Sequence, residues 1–425
     1  AELVASSELQ AMQYVIQLCM AALPLILLGA IFIALHTLCR SPLVALAWCV
    51  GILVMKFTPL SGTLGISHTM WNIAASPLQP ADAFWGLEQS LSVYWPFMRF
   101  WVLFTFTLLW MAAMCSHRTT SFTNHQRGKL SLGSAALLAL TLATGYNLQS
   151  NIISEKPLMN SDLREQWRAD YEQKYADWAT ISQPVISHID SQVDIFPHTG
   201  VADFSLTYTL ENRTEQVIER LLIGSYATVP IDELKVSIAH ISEYDPHLGQ
   251  TVVTLSKALA PGESLTLWTT LSFKQPQHWP AVMHQMVKPS FSYLRGVPML
   301  PTVGFQTQYQ LRDEQLRQEY GLAPLNLAPP SRLFADAKST QARYDWASMH
   351  SIISTNAEQV PLAQGQLIKS WRLNGRNYAE YQTQGAIRQA SVWFSLPQHS
   401  IKRQSGSTLL AVYSPENSAA ADLNM

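Results

Sequence analysis

What most constrains this chain is an apolar run from Ala11 to Leu38, AMQYVIQLCMAALPLILLGAIFIALHTL, which contains no Asp, Glu, Lys or Arg. Crossing the hydrocarbon core of a bilayer as a helix takes about 20 such residues, because hydrocarbon offers exposed peptide groups no partner and a helix satisfies them internally. Pro24 is tolerable there, since neighbouring helices can satisfy the freed backbone groups. Three further runs follow. Pro42–Leu60 is interrupted by Lys56 near its end, and Phe97–Cys115 is flanked by Tyr94, Trp95 and Trp101 as an interfacial aromatic belt. Leu130–Leu148 is the weakest, rich in Ala, Gly and Thr. The expectation is a helical transmembrane region over residues 1–150 with about four spans, 11–38, 42–60, 97–115 and 130–148. The competing reading of each run is a buried core helix, and the fourth fits that best.

Short-loop Lys and Arg set the orientation. Arg40 lies between the first two runs, and Arg118, Arg127 and Lys129 lie between the third and fourth. With four spans those loops share one side, the cytoplasm. Both chain ends and everything after Ser150 then fall outside it, which in a bacterial inner membrane would be the periplasm. Lys56 and Arg99 count against this, but they are fewer and can snorkel to the interface. Arg99 reads as an interfacial anchor beside Trp95 rather than a functional intramembrane charge. In the outer loop, Ala83–Tyr94 is a short amphipathic stretch expected to lie along the membrane surface.

Beyond residue 150 the composition changes. All four cysteines (Cys19, Cys39, Cys49, Cys115) precede Ser116, so the polar part has neither a disulfide framework nor a thiolate metal site. A net charge of -2 with no basic block gives no electrostatic reason to expect nucleic acid. The first residue is Ala, which reads as a piece of a longer polypeptide or a processed one.

Residues 151–180 hold a juxtamembrane amphipathic helix. Ser161 is its expected N-cap, and Leu163, Trp167, Tyr171 and Tyr175 recur every fourth residue on one face. That stripe is expected to pack on the following domain or on the membrane surface, rather than to stack a cofactor. From Val185 the period becomes two. In VISHIDSQVDIFP, Val185, Ile189, Val193 and Ile195 share one face, and His188, Asp190, Gln192 and Asp194 share the other. ADFSLTYTLEN, ELKVSIAH, TVVTLSKAL and SLTLWTTLSFK follow, with Pro261-Gly262 turning between the last two. After a Pro-rich stretch with one short helix, SWRLNGRNYAEYQ reads as a hairpin turning at Asn374-Gly375, and Leu409–Tyr413 as a final strand. Many short alternating strands predict an antiparallel, saddle-like β-sandwich over 181–425.

No constellation for catalysis is legible. None of the twelve histidines is followed by Glu, so the helical two-His zinc motif H-E-x-x-H is missing. His278 and His284 are out of phase on a helix, and on a strand would lie roughly 20 Å apart. Ser187, His188 and Asp190 have the residue types of a triad, but Ser187 and His188 point to opposite faces of a strand. Walker A and G-x-G-x-x-G loops are absent, which argues against ATP hydrolysis or dinucleotide binding. Asp313 and Glu314 between Arg312 and Arg317 look like a solvated helix face. Asn212-Arg213-Thr214 is a sequon, meaningful only in a eukaryotic secretory setting.

From about residue 50 onward, the order of several stretches resembles a bacterial family in which an ABC-transporter-like permease region precedes an aminopeptidase N-type (gluzincin) metallopeptidase. The stretches are GYNLQSNIIS, LREQWRADYEQKYADW, ISQPVISHIDSQVDIFPHTGVADFSLTYTLENRTEQVI, LAPGESLTLWTTLSFK, MLPTVGFQTQYQLRDEQLRQEYGL and LIKSWRLNGRNYAEYQ. The resemblance implies a non-catalytic N-terminal sandwich covering one side of an active site. Its zinc, H-E-x-x-H with a later Glu, and its G-x-M-E-N motif would belong to a following catalytic domain expected to begin near Met425. MLPTVGFQ departs from the P-C-F-D-E-like stretch of the soluble aminopeptidases. No catalytic, cofactor or metal residue is therefore assigned, and Gln285 and Gln306 are weighed between facing the substrate cleft and a structural role. The implied partners are the lipid bilayer, the catalytic domain of the same polypeptide and, in the parent protein, peptide substrates. The alternative is a transporter-associated membrane subunit whose sandwich is a docking module, working with a separate nucleotide-binding ATPase.

Overall fold

The computed structural model describes residues 11–39, 41–58, 60, 70, 72–75, 88–115, 124–154, 161–225, 231–275, 285–289, 291–296, 299–325, 346–388, 391–397, 400–405 and 408–413. The chain divides into two compact units, one helical and N-terminal, the other rich in strands from Leu163 onward. His278, His284, Arg40, Arg118 and residues 83–87 lie outside the described residues.

The helical unit contains α1 (Ala11–Leu38), α2 (Pro42–Phe57), α3 (Glu88–Cys115) and α4 (Asn124–Ser154). Its packed centre joins Leu27 and Leu28 of α1 to Tyr94, Phe97, Met98 and Trp101 of α3. Tyr94 ties the two helices by donating to the Met20 carbonyl at 2.8 Å. Lys56 at the end of α2 donates to Asn72 Oδ1 and to the Ile73 carbonyl, both at 2.9 Å, so its charge has local acceptors. Between α3 and α4, Thr107 and Thr141 share a buried 2.8 Å hydrogen bond, and Gly145 leaves the room that the Phe100 ring occupies. Arg99 is exposed.

Among the described residues two helices, not four, are long and apolar enough to cross a membrane, Tyr14–Leu38 and Tyr94–Cys115. The second expected span, α2, has 16 residues, about 24 Å at about 1.5 Å per residue, which falls short of a hydrocarbon core of about 30 Å. The fourth sits in a helix of 31 residues, long enough but diluted by His125, Gln126, Arg127 and Lys129 at one end and Asn147, Gln149 and Asn151 at the other. The expected four-span bundle is therefore corrected, and the loop-charge argument built on four spans loses its basis.

The second unit opens with α5 (Ser161–Tyr175) and a 3-10 turn, Ala176–Ala179. The first strands are β1 (Val185–Phe196), β2 (Val201–Glu211), β3 (Ile218–Gly224), β4 (Glu233–Val236), β5 (Ala239–Asp245), β6 (Gln250–Leu259) and β7 (Ser264–Lys274). Then come β8 (Gln285–Val287), β9 (Ser292–Arg295), β10 (Thr302–Val303), a 3-10 turn at Thr307–Tyr309, and α6 (Glu314–Glu319). The last strands are β11 (Trp346–Asn356), β12 (Gln359–Ala363), β13 (Gln366–Leu373), β14 (Arg376–Gln382), β15 (Ile387–Arg388), β16 (Val392–Pro397), β17 (Ser400–Ser405) and β18 (Thr408–Tyr413).

They do not make a single closed sandwich. A large sheet runs β13-β14-β11-β1-β2-β7-β4 with β15 beside β11, two four-stranded sheets run β10-β3-β6-β5 and β12-β16-β9-β8, and β17-β18 stand as a separate hairpin. One apolar core joins the three main sheets, through Ile189, Val193 and Phe204 of the large one, Leu221 and Val253 of the second, and Leu294 and Trp393 of the third. Nor is the large sheet wholly antiparallel. At its middle β1 and β11 run parallel, in register from His188 with Ser348 to Asp194 with Ser354. A parallel pair needs a long crossover rather than a hairpin, and here most of the intervening chain supplies it.

The expected alternation in β1 holds from Ile189 onward. Before it, a bulge between Ile186 and His188 shifts the register, so Ile186 enters the core in place of Val185. The Asn374-Gly375 hairpin forms as expected, with φ of 49° and 73° at the two turn residues, the left-handed pair that matches strand twist. Pro261-Gly262 instead connects two sheets, since β6 and β7 do not pair.

The aromatic stripe of α5 is buried at Trp167, Tyr171 and Tyr175, while Leu163 is exposed. Trp167 and Tyr171 stack, and Tyr171 also stacks on Phe305 and meets Tyr309 edge-on at 5.3 Å. Tyr171 accepts the Gln306 amide hydrogen at 2.9 Å, and the Gln306 side chain bonds the Val303 and Gly304 carbonyls, so Gln306 is structural. Arg317, expected on a solvated face, is instead 2% exposed and forms a two-pronged ion pair with Glu172. Asp313 caps α6, accepting from the Gln315 and Leu316 amides. The sequon Asn212 is fully buried, its amide spent on the Gln216 and Leu259 carbonyls, so it is no acceptor for a glycan.

Candidate functional site

The large sheet buries one face, and the other carries polar side chains in rows across the strands. Register alone assembles the rows. Lys235, Trp268, Thr207, Asp190 and His350 are successive partners on β4, β7, β2, β1 and β11. One step along, Glu233, Thr270, Ser205, Gln192, Ile352 and Glu380 form a second row that reaches β14. The polar set expected on β1 (His188, Asp190, Gln192, Asp194) thus marks a face assembled from strands far apart in sequence.

At its centre is a chain of hydrogen bonds. Ser348 Oγ meets His188 Nδ1 at 2.7 Å, and His188 Nε2 lies 3.3 Å from Asp190 Oδ2. The other Asp190 oxygen meets His350 Nδ1 at 3.0 Å, His350 Nε2 meets Glu380 Oε1 at 2.9 Å, and Lys369 Nζ closes the series on Glu380 Oε2 at 3.0 Å. Burial disfavours charge on His350, but bonds to Glu380 and Asp190 outweigh it and raise its pKa above the ordinary value. The same His350, with Lys369, lowers the pKa of Glu380. Both carboxylates thus favour the protonated form of His350, in which each ring nitrogen donates.

That arrangement limits the chemistry. Metal ligation needs a free imidazole lone pair, and both ring nitrogens of His350 face carboxylates, while those of His188 face Ser348 and Asp190. Among the described residues no group of three His, Cys, Asp or Glu is placed to hold a metal ion. Ser187 does not join a triad, because the bulge aims its hydroxyl at the Thr209 carbonyl at 3.1 Å. The serine that does reach His188 is Ser348, 160 residues away. From His188 onward β1 is paired with both β2 and β11, and from His350 onward β11 is paired with both β1 and β14, so the backbone amides there are spent in the ladder. The sequence hinted at Ser348, His350 and Glu380 only through alternation in WASMHSIISTN and RNYAEYQ. Their convergence depends on the β1–β11 pairing. Gln285 pairs with Leu294 at the edge of the third sheet.

Beside the network the face sinks into a depression of about 340 Å³ that reaches from Lys235 and Trp268 across Thr207 to Asp190 and His350. Toward the other edge, Trp371 stacks on Tyr378 at 5.3 Å with Lys369 over its ring at 5.0 Å.

No family model matches the chain, and no curated protein does. Among solved structures it is distantly similar to an M1 zinc metallopeptidase from Deinococcus radiodurans, at 14% identity and a TM-score of 0.34 over 54% of this chain and 46% of that one. A mutant of that enzyme bound to a Tyr-Ser-Ala substrate gives 15% and 0.35 over the same shares. Legionella pneumophila aminopeptidase A in complex with aspartic acid gives 11% and 0.35 over 56% of this chain and 24% of its own length. The chain therefore spans less than half of each. Likenesses this distant carry no inference about activity, and nothing in the described residues supports the permease half of the expected resemblance.

Proposed function

We propose that this chain is the membrane-anchoring and non-catalytic N-terminal part of a zinc aminopeptidase-like protein acting on peptides outside the cytoplasm, with zinc held by residues that are not in this chain. The carrying observation is the order of the landmark stretches. LREQWRADYEQKYADW forms α5 and its 3-10 turn, the ISQPVISH stretch runs into β1 and β2, LAPGESLTLWTTLSFK forms the turn into β7 and β7 itself, and LIKSWRLNGRNYAEYQ forms the β13–β14 hairpin. Of the other two, GYNLQSNIIS is the C-terminal end of α4, and MLPTVGFQTQYQLRDEQLRQEYGL runs from ahead of β10 through α6. A non-catalytic role for this chain is consistent with the lack, among the described residues, of three His, Cys, Asp or Glu placed to hold a metal ion. The absence of cysteine after Cys115 fits an oxidising compartment for the strand-rich unit.

The gene sequence 3′ of the Met425 codon tests this reading. An H-E-x-x-H with a later Glu, within roughly one domain length, is expected; an open frame of that length without one refutes it. Purified 1–425 should not hydrolyse an aminoacyl-arylamide, and turnover abolished by a zinc chelator would overturn the non-catalytic assignment. For placement, Ser205→Cys in a background lacking the four native cysteines should react with a membrane-impermeant maleimide in intact spheroplasts. Reaction only after lysis would sink the extracytoplasmic assignment.

A further inference from the structure

We infer that the depression around Trp268 binds a neutral sugar, one or two pyranose rings in size, with the Trp268 indole as its platform. Trp268 is 44% exposed although it sits mid-strand in β7 with a paired strand on each side. A large aromatic left open on a well-ordered sheet forfeits burial, so its free face is the first thing to account for. Around it stand the hydroxyls of Ser205, Thr207 and Thr270, for which no hydrogen bond is seen among the described residues. The volume, about 340 Å³, lies at the small end of the range for small-molecule sites.

Charge narrows the occupant. The depression is lined by two acids and two bases, and each is already matched on the face itself: Lys235 with Glu233 at 2.5 Å, His350 with Asp190 at 3.0 Å. With each acid facing a base, the depression offers no unmatched charge to draw in a phosphate or a metal ion. Wholly apolar ligands are disfavoured too, because they would strand the hydroxyls and the Asp190 carboxylate without water. An extended peptide captures backbone groups at a sheet edge, and of the strands that line the depression only the four-residue β4 lies at one, those of β7, β2, β1 and β11 being paired on both sides. A pyranose fits each condition. It is uncharged, its axial C–H bonds present an electropositive flat face to the electron-rich indole, and its hydroxyls both donate and accept around the rim. Whether the sugar is free or the headgroup of a lipid, the recognised chemistry is the same.

The test uses the full chain in a detergent without a sugar headgroup. Maltose, cellobiose and diacetylchitobiose are titrated at up to about 10 mM, the range where a shallow single-platform site is expected to bind, and read by ligand-observed saturation-transfer NMR. At least one should bind. Trp268→Ala should weaken it by roughly tenfold or more, and the near-isosteric Thr207→Val by a few-fold, with hydrogen exchange of β2 and β7 unchanged in the latter. Trp371→Ala should bind as the parent does. Absence of binding by all three sugars overturns the inference, as does binding that survives both Trp268→Ala and Thr207→Val. Displacement of the sugar by inorganic phosphate at comparable concentration would also overturn it, since that requires a net positive site. For a bound sugar, vesicles carrying it as a glycolipid distinguish the two sources: retention there, lost in Trp268→Ala, assigns a lipid headgroup, and failure to retain assigns a free glycan.

Discussion

Replacing Arg317 with Met should loosen α5 from the rest of the strand-rich unit. The guanidinium is 2% exposed and the Glu172 side chain 9%, and the two meet in a fork, Nη1 to Oε2 at 2.9 Å and Nη2 to Oε1 at 2.7 Å. The same guanidinium donates to the Leu311 carbonyl at 2.6 Å and, through Nε, to the Ala323 carbonyl at 2.8 Å. Met fills comparable volume but supplies no donor. Glu172 would then keep only the Gln310 amide at 3.3 Å, a poor partner for a buried carboxylate. Removing one member of a buried pair costs about 3–5 kcal/mol, against a domain stability of about 5–15 kcal/mol. Much of that is stranded charge rather than lost attraction, so adding Glu172→Leu to Arg317→Met should recover at least half of it. Hydrogen exchange across residues 161–175 is the direct assay, because this pair anchors α5 from the opposite end of the loop that carries Tyr309. A 3 kcal/mol loss confined to α5 speeds its amides by roughly 150-fold. Exchange within threefold of the parent, or a double variant no slower than the single, would refute the assignment of Arg317 as the anchor.

Other outcomes follow from the sheet. Because the pKa of His350 is raised in the folded chain, its stabilisation is fully present below the ordinary pKa near 6.5 and fades as pH climbs through the raised value. Protection of β11 and β14 amides should therefore decline as the pH rises above the ordinary histidine value in the parent, and His350→Gln should flatten that decline; a parallel decline in both would dismiss it. Glu380 runs the other way, its contribution being lost as pH falls through a value below its ordinary one, so Glu380→Gln should blunt loss of protection in acid. Gly365 has φ of 107°, and a Cβ there would lie 2.6 Å from the backbone of Gln382. Gly365→Ala should cost about 1–3 kcal/mol or more and shift the β13–β14 register, measurable as lowered thermal unfolding and altered cross-strand contacts by NMR; an unchanged melting curve would count against the strain.

Local chemistry was the legible part of this fold. The apolar run of α1, the aromatic stripe of α5 and the Asn-Gly turn each depend on residues within one or two turns of one another, and each forms where the spacing puts it. Span counting went wrong at α2 and α4 because apolar character alone was weighed, without the length of α2 or the polar residues at both ends of α4. The bulge at Ser187 was invisible, since the residues on either side keep the alternating pattern and only pairing with β2 reveals the extra one. Arg317 looked solvated because its partner, Glu172, lies 145 residues earlier. The polar network was half readable. His188 and Asp190 stood out on β1, but Ser348, His350 and Glu380 come alongside only through a parallel pairing that no local pattern encodes.

That pairing also sets an order on biogenesis. β1 can find its hairpin partner β2 almost at once, yet its other edge stays open until β11 emerges, about 150 positions later by the span from Phe196 to Trp346. At about 5–20 residues per second, an exposed row of amides and carbonyls persists for roughly 8 to 30 s on the nascent chain. Through that interval the half-sheet is an adhesive edge, open to a neighbouring nascent chain or to a chaperone that caps strands. Slowing synthesis between residues 200 and 340 should therefore increase aggregation without altering the stability of the finished protein.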